Sequence, residues 1–137
     1  MIIVSACLAG IPCRYDGGRK TDPAILELVR SGQAIPLCPE QLGGLTTPRV
    51  PAEIRDGRVF TRDGRDVTEE FHRGAAIVLD MALEYGCGEA ILKARSPSCG
   101  KGEIYDGTFS GRLVPGDGVT AAILSENGIA VRTEETP

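Results

Sequence analysis

Tryptophan is missing from this chain, histidine occurs once, and aromatic side chains are few. The core therefore has to be aliphatic, because Tyr15, Tyr85, Tyr105, Phe60, Phe71 and Phe109 are the only rings. No apolar run approaches the roughly 20 residues that a membrane span needs, which sets membranes aside as partners. Nor is there an excess of Lys and Arg. The formal charge of −4 argues against a groove that tracks a nucleic-acid backbone, and a small polar or neutral ligand is easier to accept. Cys-x-x-Cys is also absent, so a thioredoxin-like exchange centre is not expected. Gly17-Gly18-Arg19-Lys20-Thr21 fails as a phosphate loop, since Arg19 stands where that motif wants glycine. The single His72 has no histidine partner and reads as a partly exposed helix residue.

What the chain does have is cysteine, five in 137 residues. The start, Met1-Ile2-Ile3-Val4-Ser5-Ala6-Cys7, lacks a basic flank, and its apolar stretch is shorter than the roughly 7–15 residues of a signal peptide. It reads as a buried first strand, and the chain as a cytoplasmic protein with reduced thiols. There, an odd cysteine count points to metal or chemistry rather than disulfides. The length suits one domain, residues 1–137, acting as a monomer or weak homodimer.

Hydrophobic patterning predicts a strand at Ile2 to Ser5, a Gly-rich loop from Cys7 to Lys20, and a helix opened by Thr21-Asp22-Pro23 and ended by Gly32. A second strand follows at Ala34-Ile35-Pro36-Leu37, its proline favouring an edge. Residues 39–51 read as loop, and Ile54 to Thr61 as a hairpin turning on Asp56-Gly57. Asp66, with Glu69 three residues on, predicts a capping box for a long helix with the apolar stripe Val67, Phe71, Ala75, Val78, Ala82 and Tyr85. A third strand at Ala90-Ile91-Leu92 and a loop through Ser96 to Gly100 come next. A last helix opens at Asp117 or Gly118 and carries Val119, Ala122 and Ile123. Ile129-Ala130-Val131 reads as the fourth strand, with a frayed tail over 134–137. Strands alternating with helices imply right-handed crossovers. The expected fold is a single-domain, Rossmann-like α/β protein: an open, mainly parallel four-stranded sheet, helices on both faces, and a small β-hairpin excursion.

Ligands of such sheets gather outside the carboxyl ends of the strands. Cys7 follows the first strand, Cys38 the second and Cys99 the third, so all three are expected at one rim, with Cys13 within reach. Cys87 lies at the opposite edge and reads as a small buried hydrophobe. Converging thiolates suit zinc, cuprous copper or an iron–sulfur cluster, although the spacings match neither zinc ribbons nor ferredoxin runs. Glu40 stands two residues from Cys38, and Ser96 and Ser98 flank Cys99. These are either an acid/base carboxylate and hydroxyl donors beside a metal edge, or a surface carboxylate and turn-forming serines. Arg14 and Asp16 read as an internal ion pair or a substrate-orienting pair. Arg49 reads as an anion binder or a solvated cation.

Several separated motifs nonetheless occur in order. These are Ser5-Ala6-Cys7-Leu8-Ala9-Gly10 with Cys13-Arg14-Tyr15-Asp16-Gly17, then Cys38-Pro39-Glu40 with Gly43-Gly44-Leu45, Pro48-Arg49 and Pro51-Ala52-Glu53. Leu92-Lys93 with Ser96-Pro97-Ser98-Cys99-Gly100 completes the set. Over essentially its whole length the chain resembles the bacterial thiouracil desulfidase family. The resemblance implies a [4Fe–4S] cluster on three thiolates, carried here to Cys7, Cys38 and Cys99 with Cys13 in reserve. It also implies non-redox replacement of a thiocarbonyl sulfur by water, the open iron binding that sulfur, on a small thiolated base such as 2-thiouracil. Glu40 would transfer the proton and Ser96 would position substrate or water, with Ser98 second to it. Ala9 and Ile11 depart from the motif and bear on pocket shape. Two other functions compete: a cluster-free sulfurtransferase working through a cysteine persulfide, and an iron–sulfur or zinc sensor without turnover.

Overall fold

The alternation of aliphatic residues in the strands distributes them to two faces of one sheet. A computed structural model describes residues 1–136. Its main sheet is formed by β1 (Ile2–Ser5), β2 (Ala34–Leu37), β5 (Glu89–Leu92) and β8 (Ala130–Thr133), parallel throughout and ordered β2-β1-β5-β8. Two antiparallel hairpins stand apart from it: β3 (Ala52–Arg55) with β4 (Arg58–Thr61), and β6 (Glu103–Tyr105) with β7 (Leu113–Pro115). The helices are α1 (Pro23–Arg30), α2 (Pro39–Leu42), α3 (Thr68–Glu84) and α4 (Val119–Glu126). None of the described helices is long and apolar enough to cross a membrane.

Ile3, Ala90 and Leu92 point to one face, where Val78 and Ala82 of α3 and Ala121 and Leu124 of α4 bury them. Val4 and Ile91 point to the other, against Ile25 of α1 and Leu8. This is the period-two alternation of a sheet covered on both sides. Asp22 caps α1 by accepting from the amides of Ala24 and Ile25, with Pro23 at the first helical position. Pro36 lies in β2, which is an edge strand as its missing donor requires. The Asp56-Gly57 turn takes positive φ at both residues, the left-handed pair that a tight hairpin turn demands.

The structure departs from the sequence expectations in several places. The loop after β1 begins with a turn of 3-10 helix, Ala6–Ala9, and the expected loop at 39–51 opens with α2. Asp66 accepts from the Thr68 amide and pairs with Arg58, while no side chain caps α3 at Val67, so the capping box with Glu69 does not form. Tyr85 leaves the α3 stripe and is exposed, because the helix has ended before it. The buried face of α4 is Thr120, Ala121 and Leu124 rather than Val119, Ala122 and Ile123. The fourth strand starts one residue later than expected, and the β6–β7 hairpin replaces irregular loop. Far from fraying, the tail is tied down: Glu134 accepts from the Ala94 amide and pairs with Lys93, and Glu135 pairs with Arg95. Pro137 lies outside the described residues.

Candidate active site

β1 sends its chain to β2 on one side, whereas β5 sends its chain to β8 on the other. The sheet therefore has its switch point between these two central strands, and a crevice opens beyond their carboxyl ends. A cavity of about 480 Å³ occupies that crevice. Cys7 enters it from the 3-10 turn after β1, Cys38 from the N-cap of α2, Cys99 from the turn after β5, and Cys13 from the first loop. Glu40, Ser96 and Ser98 line the same space, so the structure brings together the four rim cysteines, the carboxylate and both serines. Cys87 is elsewhere, buried in the core with Ala82, Ala90 and Ile129.

The thiols influence one another. Cys13 is held in its protonated form because it hydrogen-bonds to the sulfurs of both Cys38 and Cys7, and burial adds to the effect. Its hydrogen serves one partner at a time, and both partners are lowered by it. Cys38 is brought to about 7, with the Gln41 amide of the α2 N-terminus and Arg49 contributing to the same direction. Cys7 is lowered by the same Cys13 contact, and more weakly by the charges of Arg14 and Lys93. Cys99 is pushed up to about 12 by burial, an effect that a hydrogen bond from Ser5 opposes.

Glu40 is the hub of the polar wall. One carboxylate oxygen, Oε1, accepts from Arg49 Nε at 3.0 Å, and the other, Oε2, from Ser98 Oγ at 2.8 Å. An ionised carboxylate only accepts, so the Ser98 hydroxyl proton points at Glu40. The 3.0 Å contact between the two serine hydroxyls then runs from Ser96 to Ser98, giving a chain Ser96 to Ser98 to Glu40. Ser96 Oγ meanwhile accepts from the amides of Ser98 at 3.1 Å and Cys99 at 3.0 Å, so it also shapes the turn that carries Cys99. Ser98, ranked behind Ser96 in the sequence, is the serine that touches the carboxylate.

Arg49 proves to be neither solvated nor free for an anion. Its side chain is 8 % exposed and bonds Glu40, the Cys13 carbonyl at 2.9 Å, the Thr46 carbonyl and the Thr47 hydroxyl. The expected Arg14–Asp16 pair is also replaced, because Asp16 turns back to its own loop and accepts from the Gly18 amide at 2.8 Å. Lys93 was legible only as part of a motif; its amide reaches Ser5 Oγ at 2.9 Å and joins the ends of β5 and β1. The hairpins close the rim with Glu53, Arg62, Tyr105 and Phe109, contributions that local patterning did not reveal.

Two close backbone approaches set the positions of these groups. A Cβ on Gly74 of α3 would lie 1.8 Å from the Pro39 carbonyl oxygen, and one on Gly43 would lie 2.0 Å from that of Glu70. The helix holding Cys38 and Glu40 therefore rests directly on the α3 backbone. Likewise Gly118 lets the start of α4 touch the Ser98 backbone, and the amides of Val119 and Thr120 donate to the carbonyls of Pro97 and Ser98. Gly74→Ala is expected to lower stability and activity together. Alanine gains about 1 kcal/mol in helix propensity, but a Cβ only 1.8 Å from a backbone oxygen forces α2 away, and overpacking costs about 1–3 kcal/mol. Thermal unfolding and steady-state turnover check this; a variant more stable than its parent would refute the contact.

A parallel α/β sheet whose switch-point crevice gathers four thiols around a carboxylate–hydroxyl chain has the build of a soft-metal or sulfur-handling enzyme. The family model for 2-thiouracil desulfurase matches residues 2–136, and the chain belongs to that family. It is 47 % identical to the protein YbbK of Bacillus subtilis (strain 168), over 98 % of this chain and 95 % of that one. Its structure is similar to that of the [4Fe–4S]-dependent thiouracil desulfidase TudS, with a TM-score of 0.94 and 48 % identity, over 98 % of this chain and 90 % of the other. The Rossmann-like α/β architecture expected from the sequence is thus the one observed.

Proposed function

We propose that this protein is a [4Fe–4S]-dependent desulfidase that exchanges the thiocarbonyl sulfur of a small thiolated base, such as 2-thiouracil, for oxygen from water. The observation that carries the reading is the contact of Glu40 with Ser98 inside the cavity that Cys7, Cys38 and Cys99 line. Membership of the desulfurase family and likeness to a thiouracil desulfidase support the substrate class.

The donor set fits a cluster. It consists of soft thiols, Cys7, Cys38 and Cys99, that line one cavity, the ligand type that iron–sulfur clusters take. We assign the ligands to Cys7, Cys38 and Cys99, one from the end of each of β1, β2 and β5, and leave Cys13 as the thiol that hydrogen-bonds to two of them. When bound, such a cluster supplies Lewis acidity toward the soft thiocarbonyl sulfur and a place for the departing sulfide.

The remaining chemistry belongs to the chain's own side chains. Glu40, oriented by Arg49, takes a proton from the attacking water, and the hydroxyls of Ser96 and Ser98 hold that water and pass protons along their chain. The sum is thiocarbonyl plus water giving carbonyl plus hydrogen sulfide. No electron changes hands. Anaerobic reconstitution with iron and sulfide, followed by metal analysis and assay of sulfide release from 2-thiouracil, tests the proposal. Brown protein that releases sulfide supports it. Colourless protein that releases sulfide without iron would overturn the cluster-dependent reading. Brown protein without turnover would leave a sensor.

A further inference from the structure

We infer that Phe109 supplies the aromatic face on which the flat ring of the substrate stacks, and that Glu53 is the residue that positions it. This rests on the desulfidase reading for the identity of the ring, and on the fold for everything else.

The starting point is backbone geometry. Phe109 adopts φ 56, a left-handed conformation that glycine takes readily and a bulky residue rarely does. A residue held there needs surroundings that over-determine it, and such residues concentrate at ligand sites. The surroundings are present. Glu53 Oε1 accepts from the amides of Gly107 at 3.0 Å and Phe109 at 3.1 Å, clamping the β6–β7 loop onto the β3–β4 hairpin. Gly107 itself, at φ 92, lies so close to Ile54 and Arg55 that a Cβ would sit 2.7 Å from the Arg55 side chain, so the loop has one seating. Arg62 brings its guanidinium 5.7 Å from the centre of the Phe109 ring.

This apparatus does not serve the core. Phe109 belongs to none of the buried clusters and is half-buried as a wall of the thiol-lined cavity. Of the other rings lining that cavity, Tyr15 is largely exposed, and Tyr105 lies in β6 without positive φ. Only Phe109 is held against its backbone preference by two hydrogen bonds to one carboxylate. A fixed aromatic face beside the thiols selects planar π-systems over aliphatic thiocarbonyl compounds.

The test uses the reconstituted, cluster-loaded protein and 2-thiouracil. Phe109→Gly removes the ring but suits the left-handed backbone, so iron content and melting temperature should hold. KM, and Kd by calorimetry, should rise about 5- to 100-fold, the range found when one base loses its stacking partner, with kcat changing far less. Phe109→Trp should keep KM near the parent value. Glu53→Ala should raise KM as Phe109→Gly does, whereas Glu53→Gln, which keeps the accepting oxygen, should not. Unchanged KM and Kd in Phe109→Gly would overturn the inference. Parent protein that binds 2-thiouracil without releasing sulfide would defeat the desulfidase reading alone, the stacking role then standing or falling on Kd. Parent protein that binds no 2-thiouracil would defeat both.

Discussion

Cys38→Ala is expected to leave reconstituted protein with little or no bound iron and no visible absorbance, while Cys87→Ala retains both. The contrast follows from position. Cys38 stands at the carboxyl end of β2, where its thiol is lowered to about 7 and faces the cavity. Cys87 packs at the other end of the sheet among Ala82, Ala90 and Ile129. A cluster on three protein ligands loses a third of its anchorage when one is removed, and turnover disappears with it. The Cys87 variant loses only a small buried side chain, a modest change in stability. Iron and sulfide analysis of the two proteins, prepared side by side without air, decides the matter. Iron lost from Cys87→Ala and kept in Cys38→Ala would reverse the assignment of the rim.

The second large effect belongs to Glu40→Gln. Glutamine preserves the shape of the side chain and an oxygen that can accept from Ser98, but it cannot take a proton. If Glu40 is the base, kcat should fall about 10²–10⁴-fold, the usual contribution of a positioned general base. Iron content and substrate affinity should stay near those of the parent, which separates proton transfer from assembly of the centre. A kcat within about threefold of the parent would remove Glu40 from the chemistry, a change too small for any general base. Ser98→Ala should fall between these limits, since it cuts the link between Ser96 and the carboxylate without removing the carboxylate.

Much of this architecture could be read from the chain because its signals are local. Asp22 followed by Pro23, the aliphatic run of β1, and Asp56-Gly57 each state their own geometry, and the structure follows them. Placing Cys7, Cys38 and Cys99 at one rim needed only the strand that each follows and the rule for parallel sheets. What escaped was set by distant partners. Asp66 looked like a helix cap, but Arg58 and the Thr68 amide occupy it. Tyr85 continued a stripe in sequence after the helix had ended in space. Arg49 carried no local hint of its partners, because Glu40 and Cys13 lie nine and 36 residues away. The tail seemed bound to fray until Glu134 met Lys93 across 40 residues or so of chain. The β6–β7 hairpin was hidden because its strands are three residues each, too short for alternation to register.

Arg49 also has a mechanical consequence. One guanidinium grips the carboxylate of α2, the carbonyl of Cys13 and the loop at Thr46 and Thr47, so three stretches of backbone share a single rivet. Any breathing of the first loop is transmitted through this guanidinium to the Glu40 carboxylate, and the two advance or retreat in step.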